Sequence, residues 1–300
     1  MADNSSPDYE ALYRKAEAER RQVEEREAEE KVGTPSRSTK GSIPPSTGKY
    51  CPTSLRFWSS CPVQLQEIYD SVSPYLQPAG KDAPRPVSSL LVLEDLGRRY
   101  SSRKLQSERD LEHYERTAVE DYVRDIIDKL CEIPDARKRF RLGDGIMFEN
   151  HENVLQTEES DVQLFDESST KHPKPDSFCI HRINDSTNTL VTTVEYKPPP
   201  KLSVENLRAG LRPMKLWEEI VQSDTIPKSD EQRKDEKLKY NAEQLTCSVL
   251  VQEYHVMIQA GLEYSYITNG FAIVLLRVPY SEPSTLYCYL CEPNMDVISE

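Results

Sequence analysis

One stretch, residues 175–200, constrains the fold of this chain more than any other. Two apolar, β-branched runs flank a polar segment at 184–188, which is the pattern of a β-hairpin. Asp176 opens the first arm, and Glu195 and Lys197 close the second. Because side chains alternate along a strand, Glu195 and Lys197 share one face, and closing the hairpin brings them to Asp176. The sequence therefore predicts two carboxylates and an ammonium at one end of a sheet.

The residues alone leave two interpretations of this cluster open. In the first, Asp176 and Glu195 bind a divalent metal, and Lys197 steers a water or a phosphate. In the second, Glu195 and Lys197 form a solvated ion pair worth ~0.2–1 kcal/mol. The acid-x-Lys triplet does not decide between them, because it also occurs at residues 29–31 and 235–237. What distinguishes the triplet at 195–197 is its context, since it ends an apolar strand and precedes three prolines.

Composition bounds the class of protein. The 300 residues allow one or two domains, and a hydrophobic fraction of 37% with 21 prolines indicates an unevenly distributed core. No apolar run approaches the ~20 residues of a membrane span, and no secretory signal is present, so we expect an intracellular protein, nuclear or cytoplasmic, without membrane partners. Seven cysteines fit reduced thiols. The formal charge of −13 argues against loose, charge-driven binding to nucleic acid.

The pattern along the chain predicts three parts. Residues 1–50 form a charged segment and linker, largely disordered or a solvated helix. Residues 51–106 supply docking helices, including a short helix over residues 55–75. Residues 107–300 form an α/β core in which helices flank a mixed sheet.

Within the core, the apolar period switches between 3.6 and 2. The predicted elements are a helix at 107–131 capped by Ser107 and closed by Pro134, strands near 146–148, at 177–183 and at 190–197, a helix at 204–211, a helix at 240–260, strands at 263–268 and 271–278 joined by an Asn-Gly turn, and a strand at 284–291. Glu120 lies on the flank of the apolar stripe of the first helix, where its side chain could reach a neighbouring sheet.

Other side chains are poorer candidates for the site. Cys179 and His181 have the opposite parity to Asp176 on the same arm and should face away from it. The Cys288-x-x-Cys291 pair is interpreted as structural, because residues three apart on a strand point to opposite faces. The motifs G-x-S-x-G, H-E-x-x-H, the Walker loop and the kinase catalytic loop do not occur in the sequence.

The order of these elements, with Pro175-Asp176 and Glu195-Tyr196-Lys197 at strand ends, resembles the PD-(D/E)XK nuclease superfamily, which has a restriction-endonuclease-like core. The chain also resembles a large fungal family of uncharacterised proteins with a PD-(D/E)XK nuclease-like domain. The segments that carry this resemblance are TTVEYKPPPKLSVENLRAGLRPM, GLEYSYITNG and LGDGIMFENH. The likeness covers roughly residues 50–300. Some relatives carry a kinase-like domain after this region.

The resemblance implies a function and a role for each residue. Asp176 and Glu195 would bind Mg²⁺ or Mn²⁺, Lys197 would position the attacking water or stabilise the phosphate charge, and Glu120 would match an acid on the first core helix. The implied activity is metal-dependent hydrolysis of phosphodiester bonds in DNA or RNA. The alternative is a catalytically silent module of the same fold that binds a protein partner or regulates an attached kinase-like domain.

Overall fold

The computed structural model describes residues 49–77, 88–101, 103–150, 174–184, 187–222 and 234–293. The expected charged segment at 1–50 lies outside these residues except for Lys49 and Tyr50. No helix in the described ranges combines the length and the apolar character needed to cross a bilayer.

A seven-stranded mixed sheet organises the fold, which confirms the predicted α/β class with helices flanking a mixed sheet. Its strands are β1 (Ser54–Phe57), β2 (Ile146–Glu149), β3 (Ser177–Asn184), β4 (Thr187–Tyr196), β5 (Tyr264–Thr268), β6 (Ile273–Arg277) and β7 (Thr285–Cys291). They are arranged in the order β1-β7-β6-β5-β4-β3-β2. The β1–β7 and β4–β5 pairs are parallel, and the other pairs are antiparallel.

The predicted central hairpin is present as β3 and β4, with Ser177 opposite Val194. The pairing contains two irregularities: β4 has an extra residue at Val191, and β3 has an extra residue at Ile183. Both extra side chains are exposed. The two register shifts cancel, so the end that carries the candidate site keeps the simple alternation on which the sequence prediction depends.

One face of the sheet packs on a long helix, α7, which spans Lys234–Ala260. Six α-helices of the described residues, α1–α6, precede it in the chain, and their bounds are given in the next paragraphs. Helix α7 begins six residues before the predicted start at 240, because residues 236–239 are exposed and mostly charged and so show no apolar period. Farther along, Val249, Leu250 and Met257 are completely or almost completely buried in the main core. The Asn269-Gly270 turn that follows β5 is also as predicted: the Asn269 side chain accepts hydrogen bonds from the amides of Phe271 and Ala272.

The predicted helix at 107–131 faces the other side of the sheet as a continuous helical element. It consists of α3 (Glu108–Glu115), a π-helical turn (Arg116–Glu120) and α4 (Asp121–Cys131). The predicted Ser107 cap is present, and Ser107 forms a capping box with Asp110. Pro134 does not end this helix, which stops at Cys131; it begins α5 (Pro134–Phe140), since proline is tolerated in the first helical turn.

The segment before the core differs from the sequence prediction at one point. Residues 55–75 were expected to form a helix, but the chain first forms β1, an edge strand parallel to β7, and only then α1 (Cys61–Val72). Leu55 is buried, and its amide donates to the Met214 carbonyl. Such long-range pairing leaves no local periodic signal in a four-residue strand. The remaining α-helices in the described ranges are α2 (Leu90–Ser101) and α6 (Val204–Gly210), and the Ser203 side chain caps the latter.

Candidate metal centre

Asp176, Glu195 and Lys197 lie at one end of β3 and β4. Ser177 is opposite Val194, so Asp176 is at the level of Glu195 and on the same face. That face packs on α7, as the hydrogen bond from Gln252 Nε2 to Glu195 Oε1 (2.6 Å) demonstrates. The structure therefore brings these three sequence-predicted residues to one place.

Backbone hydrogen bonds position the Asp176 carboxylate. The Asp176 amide donates to the Val194 carbonyl (3.0 Å), and its Oδ2 atom accepts from the Tyr196 amide (2.7 Å). Burial raises the pKa of Asp176, while the Tyr196 hydrogen bond and the charge of Lys197 oppose that rise. The carboxylate is thus fixed through one oxygen at the end of the hairpin.

Glu195 is 1% exposed and is the most enclosed charge of the group. Its Oε1 atom accepts from Lys197 Nζ and from Gln252 Nε2. Its Oε2 atom is buried and accepts no hydrogen bond from the residues that the structure describes. Burial raises the pKa of Glu195; Lys197 opposes the rise, and the nearby carboxylates of Asp176 and Glu253 add to it. An enclosed carboxylate with one open oxygen is suited to binding a cation.

Lys197 is 6% exposed and contacts Glu195 directly. Its Nζ atom also lies 3.8 Å from Glu108 Oε1 at the start of α3. Burial alone would lower the pKa of Lys197, but Glu195, Asp176 and Glu108 outweigh this effect and raise it. The side chain is therefore a cation held among carboxylates.

Glu120 lies on the opposite face of the sheet. Its Oε1 atom accepts from Tyr196 Oη (2.6 Å) and Ser177 Oγ (3.0 Å), side chains whose parity directs them away from Glu195. Burial raises the pKa of Glu120, and these two hydrogen bonds oppose the rise. The structure does not bring Glu120 to the other three residues. Cys179 also lies on the Glu120 side, as its parity predicts.

Three further residues belong to the surroundings of Glu195 and were not singled out from the sequence: Lys49, Gln252 and Glu253. Glu253 is fully buried and accepts hydrogen bonds from Thr193 Oγ1 (2.6 Å) and Ser265 Oγ. The sequence contains a signal for this pair, since Gln252 and Glu253 interrupt the most apolar part of α7. A polar pair in a buried helix needs partners on the element it packs against.

The donors present fit a hard divalent cation. Asp176 and Glu195 supply two carboxylates, of which Glu195 Oε2 has no hydrogen-bond partner among the described residues. Within those residues, no three His, Cys, Asp or Glu side chains are grouped as a metal cage. Mg²⁺ commonly takes one or two carboxylates and completes its shell with water and substrate phosphate, so two ligands suffice.

Comparisons with known proteins relate the chain to fungal spore killers. Residues 163–300 match the model of the Spore killer 2 N-terminal domain. The meiotic driver SPOK2 of Podospora anserina is 29% identical over 127 residues, which is 41% of this chain and only 16% of that protein's length. No solved structure gives a significant match. These findings support the fungal relationship expected from the sequence, in the form of similarity to a spore-killer family. The region matched by the family model, residues 163–300, contains the β3–β4 hairpin and α7.

Proposed function

We propose that this chain is a metal-dependent phosphodiesterase that acts on nucleic acid through a PD-(D/E)XK nuclease-like site. The observation that carries the proposal is the meeting of Asp176, Glu195 and Lys197 on one face of the sheet. The Oε2 atom of Glu195 is buried there and accepts no hydrogen bond within the described part of the chain. Two hard oxygen ligands can hold a divalent metal, and an ammonium beside them can balance the charge that develops on a phosphate.

Each residue has a role in this proposal. Asp176 and Glu195 would hold Mg²⁺ or Mn²⁺, which would supply Lewis acidity and lower the pKa of a bound water. The Tyr196 amide fixes Asp176, and Gln252 fixes Glu195 through Oε1. Lys197 orients the attacking water or balances the charge that develops on the phosphate. Glu120 takes no part in the chemistry and instead ties α3–α4 to the hairpin.

The similarity to a meiotic driver supplies a biological setting. A protein related to a spore killer would use an activity that harms cells, and cleavage of DNA or RNA is such an activity. In this setting the domain would act within, or beside, a longer protein that includes other parts, among them the kinase-like domain expected from the sequence resemblance.

A catalytically silent module is the second candidate function. Lys197 is in direct contact with Glu195, and both side chains are almost fully enclosed, so the cluster already has an internal counter-charge. A closed, self-neutralised cluster can serve as a structural centre for a domain that binds a protein partner. The formal charge of −13 also favours a protein partner over nucleic acid.

Metal titration combined with a cleavage assay separates the two functions. The purified chain is incubated with Mg²⁺ or Mn²⁺ and with single-stranded DNA, double-stranded DNA and RNA. The nuclease proposal predicts metal-dependent cleavage that Asp176→Asn removes and Glu218→Gln leaves intact, since Glu218 is an exposed carboxylate paired with Lys215. Metal binding without cleavage of any of these nucleic acids would favour the silent module.

A further inference from the structure

Two lysines converge on one carboxylate oxygen at the edge of the candidate metal centre. Lys201 Nζ lies 2.8 Å from Glu108 Oε1, and Lys197 Nζ lies 3.8 Å from the same oxygen atom. Lys197 also contacts Glu195, so this group is continuous with the proposed metal ligands. Lys197 is 6% exposed, whereas the side chains of Lys201 and Glu108 are 41% and 42% exposed. Glu108 and Lys201 therefore lie where the cluster meets the solvent.

The chain between the two lysines forms a rigid turn. It consists of three prolines, which restrict the backbone. The amides of Lys201 and Leu202 both donate to the Pro198 carbonyl, at 2.8 and 3.1 Å. Leu202 is completely buried, and its carbonyl accepts a hydrogen bond from the Asn269 side chain (3.0 Å). The backbone of this turn is thus positioned by the fold and does not depend on the contact with Glu108.

The contact that Glu108 makes with the lysines is not needed to build its helix. Glu108 is the first residue of α3, and a helix start favours an acidic side chain with or without a lysine nearby. The capping box of this helix is formed by Ser107 and Asp110. The Glu108 carboxylate can therefore leave the two ammonium groups without breaking a helix cap or a strand pairing.

A phosphodiester has the charge and the oxygen atoms that suit the position of this carboxylate. Its non-bridging oxygens are strong hydrogen-bond acceptors, and lysine binds phosphate as a compact point charge. A phosphodiester carries one negative charge, as an ionised carboxylate does, so exchanging one for the other leaves the charge beside the lysines unchanged. Because Lys197 contacts both Glu195 and this position, a phosphate bound there would lie next to the proposed metal ligands.

We propose that Lys197 and Lys201 form a clamp for a phosphate group of the substrate, and that Glu108 occupies this clamp in the free protein. Lys201 is a substrate-binding residue, and Glu108 is a competing carboxylate that the nucleic acid displaces. The inference rests on the proposed function for the identity of the ligand, a phosphodiester of nucleic acid.

Binding of a fluorescein-labelled single-stranded oligonucleotide, prepared as DNA and as RNA, tests the clamp in the full chain. Ca²⁺ replaces Mg²⁺ in this measurement, because it takes the same oxygen ligands in a looser geometry and allows binding to be followed apart from cleavage. Glu108→Gln keeps the length of the side chain and removes the competing charge, so its Kd should be about tenfold lower than that of the wild type. Lys201→Met removes one ammonium, so its Kd should be about tenfold higher.

Glu112→Gln is the matched control for the gain in affinity. Glu112 lies one turn farther along α3, where its charge also acts on Asp176, but its partner among the described residues is Asn150 and not a lysine. Its Kd should stay within about twofold of the wild type. An equal gain in Glu112→Gln and Glu108→Gln would reflect a general loss of negative charge and would overturn the clamp. Wild-type affinity in either Glu108→Gln or Lys201→Met would overturn it as well.

Cleavage kinetics with Mg²⁺ separate this inference from the proposed function. Lys201→Met should raise KM about tenfold and leave kcat within about threefold, because Lys197 beside Glu195 is retained. If the wild type cleaves nucleic acid and neither variant changes Kd or KM, the clamp fails and the proposed function stands. The expected changes in Kd without any cleavage would support the clamp and overturn only the proposed catalysis. If the wild type and the variants bind neither oligonucleotide, both fail.

Discussion

Glu195 and Glu120 are buried on opposite faces of the sheet and have different partners. On the α7 face, Glu195 is held by an ammonium and an amide, and its Oε2 atom accepts no hydrogen bond from the described residues. On the other face, Glu120 is held by the hydroxyls of Ser177 and Tyr196. A neutral hydroxyl compensates the cost of burial, whereas an open oxygen next to a cation leaves binding capacity unused. Burial of an acid therefore does not identify a site; the identity of its partners does.

The largest expected effect comes from substituting the proposed metal ligands on the α7 face of the sheet. Asp176→Asn or Glu195→Gln removes a ligand charge, so we expect metal-dependent cleavage to fall by at least about a hundredfold and metal-induced stabilisation to disappear. Thermal melting with and without millimolar Mn²⁺ measures the second effect. The metal-free variants should remain folded, and a variant that keeps the wild-type response to metal would contradict the assignment of these ligands.

The second effect concerns pH and the opposite face. Burial raises the pKa of Glu115 from 4.5 to about 7, although a hydrogen bond from Thr268 opposes the rise. Because the folded-state pKa is raised, the stability contributed by protonated Glu115 is complete below pH 4.5 and is lost as the pH rises through about 7. Relative to Glu115→Gln, the wild type should lose about 2–3 kcal/mol of unfolding free energy across this window. Urea unfolding at several pH values measures the difference, and parallel pH profiles would exclude the effect.

A smaller effect separates packing from chemistry. Tyr196→Phe removes the hydroxyl that donates to Glu120, and we expect a loss of about 1–2 kcal/mol in unfolding free energy. The affinity for Mn²⁺ should stay within about twofold, because the Tyr196 amide that holds Asp176 is retained. Tyr287→Phe, whose hydroxyl donates to the more exposed Glu282, is the control and should cost less. A collapse of metal binding in Tyr196→Phe would mean that the two faces are not independent.

The smallest expected effect is that of Glu120→Gln, which makes the same chemical change as Glu195→Gln on the opposite face of the sheet. In Glu120→Gln the amide carbonyl can still accept from Ser177 and Tyr196, so stability should change by less than about 1 kcal/mol and cleavage should be retained. The rate of cleavage under saturating metal measures this. A folded Glu120→Gln protein that no longer cleaves would return Glu120 to the catalytic group despite its position.

Features that depend on residues close together in the chain could be predicted from the sequence, whereas features that depend on distant residues could not. Asp176, Glu195 and Lys197 could be grouped from the sequence because a hairpin and a period of two are local properties. The face occupied by Glu120 could not, since an amphipathic stripe shows that a helix packs but not on which side of the sheet. Gln252 and Lys49 reach the site only through tertiary packing. The same reason explains why β1, paired across more than two hundred residues, was expected to be helical.

The two irregularities of the β3–β4 hairpin lie between its turn and the end that carries the candidate metal centre. Between them the strands are offset by one residue, while beyond Cys179 and Thr192 the pairing is regular and continues into β5 through Val194 and Tyr266. A change of length near the turn can thus be taken up by shifting an exposed bulge, without rotating Glu195 and Lys197 to the wrong face. Strand pairing in the middle of the sheet therefore fixes the face on which the side chains of the candidate metal centre lie. A change at the turn of the hairpin does not alter that face.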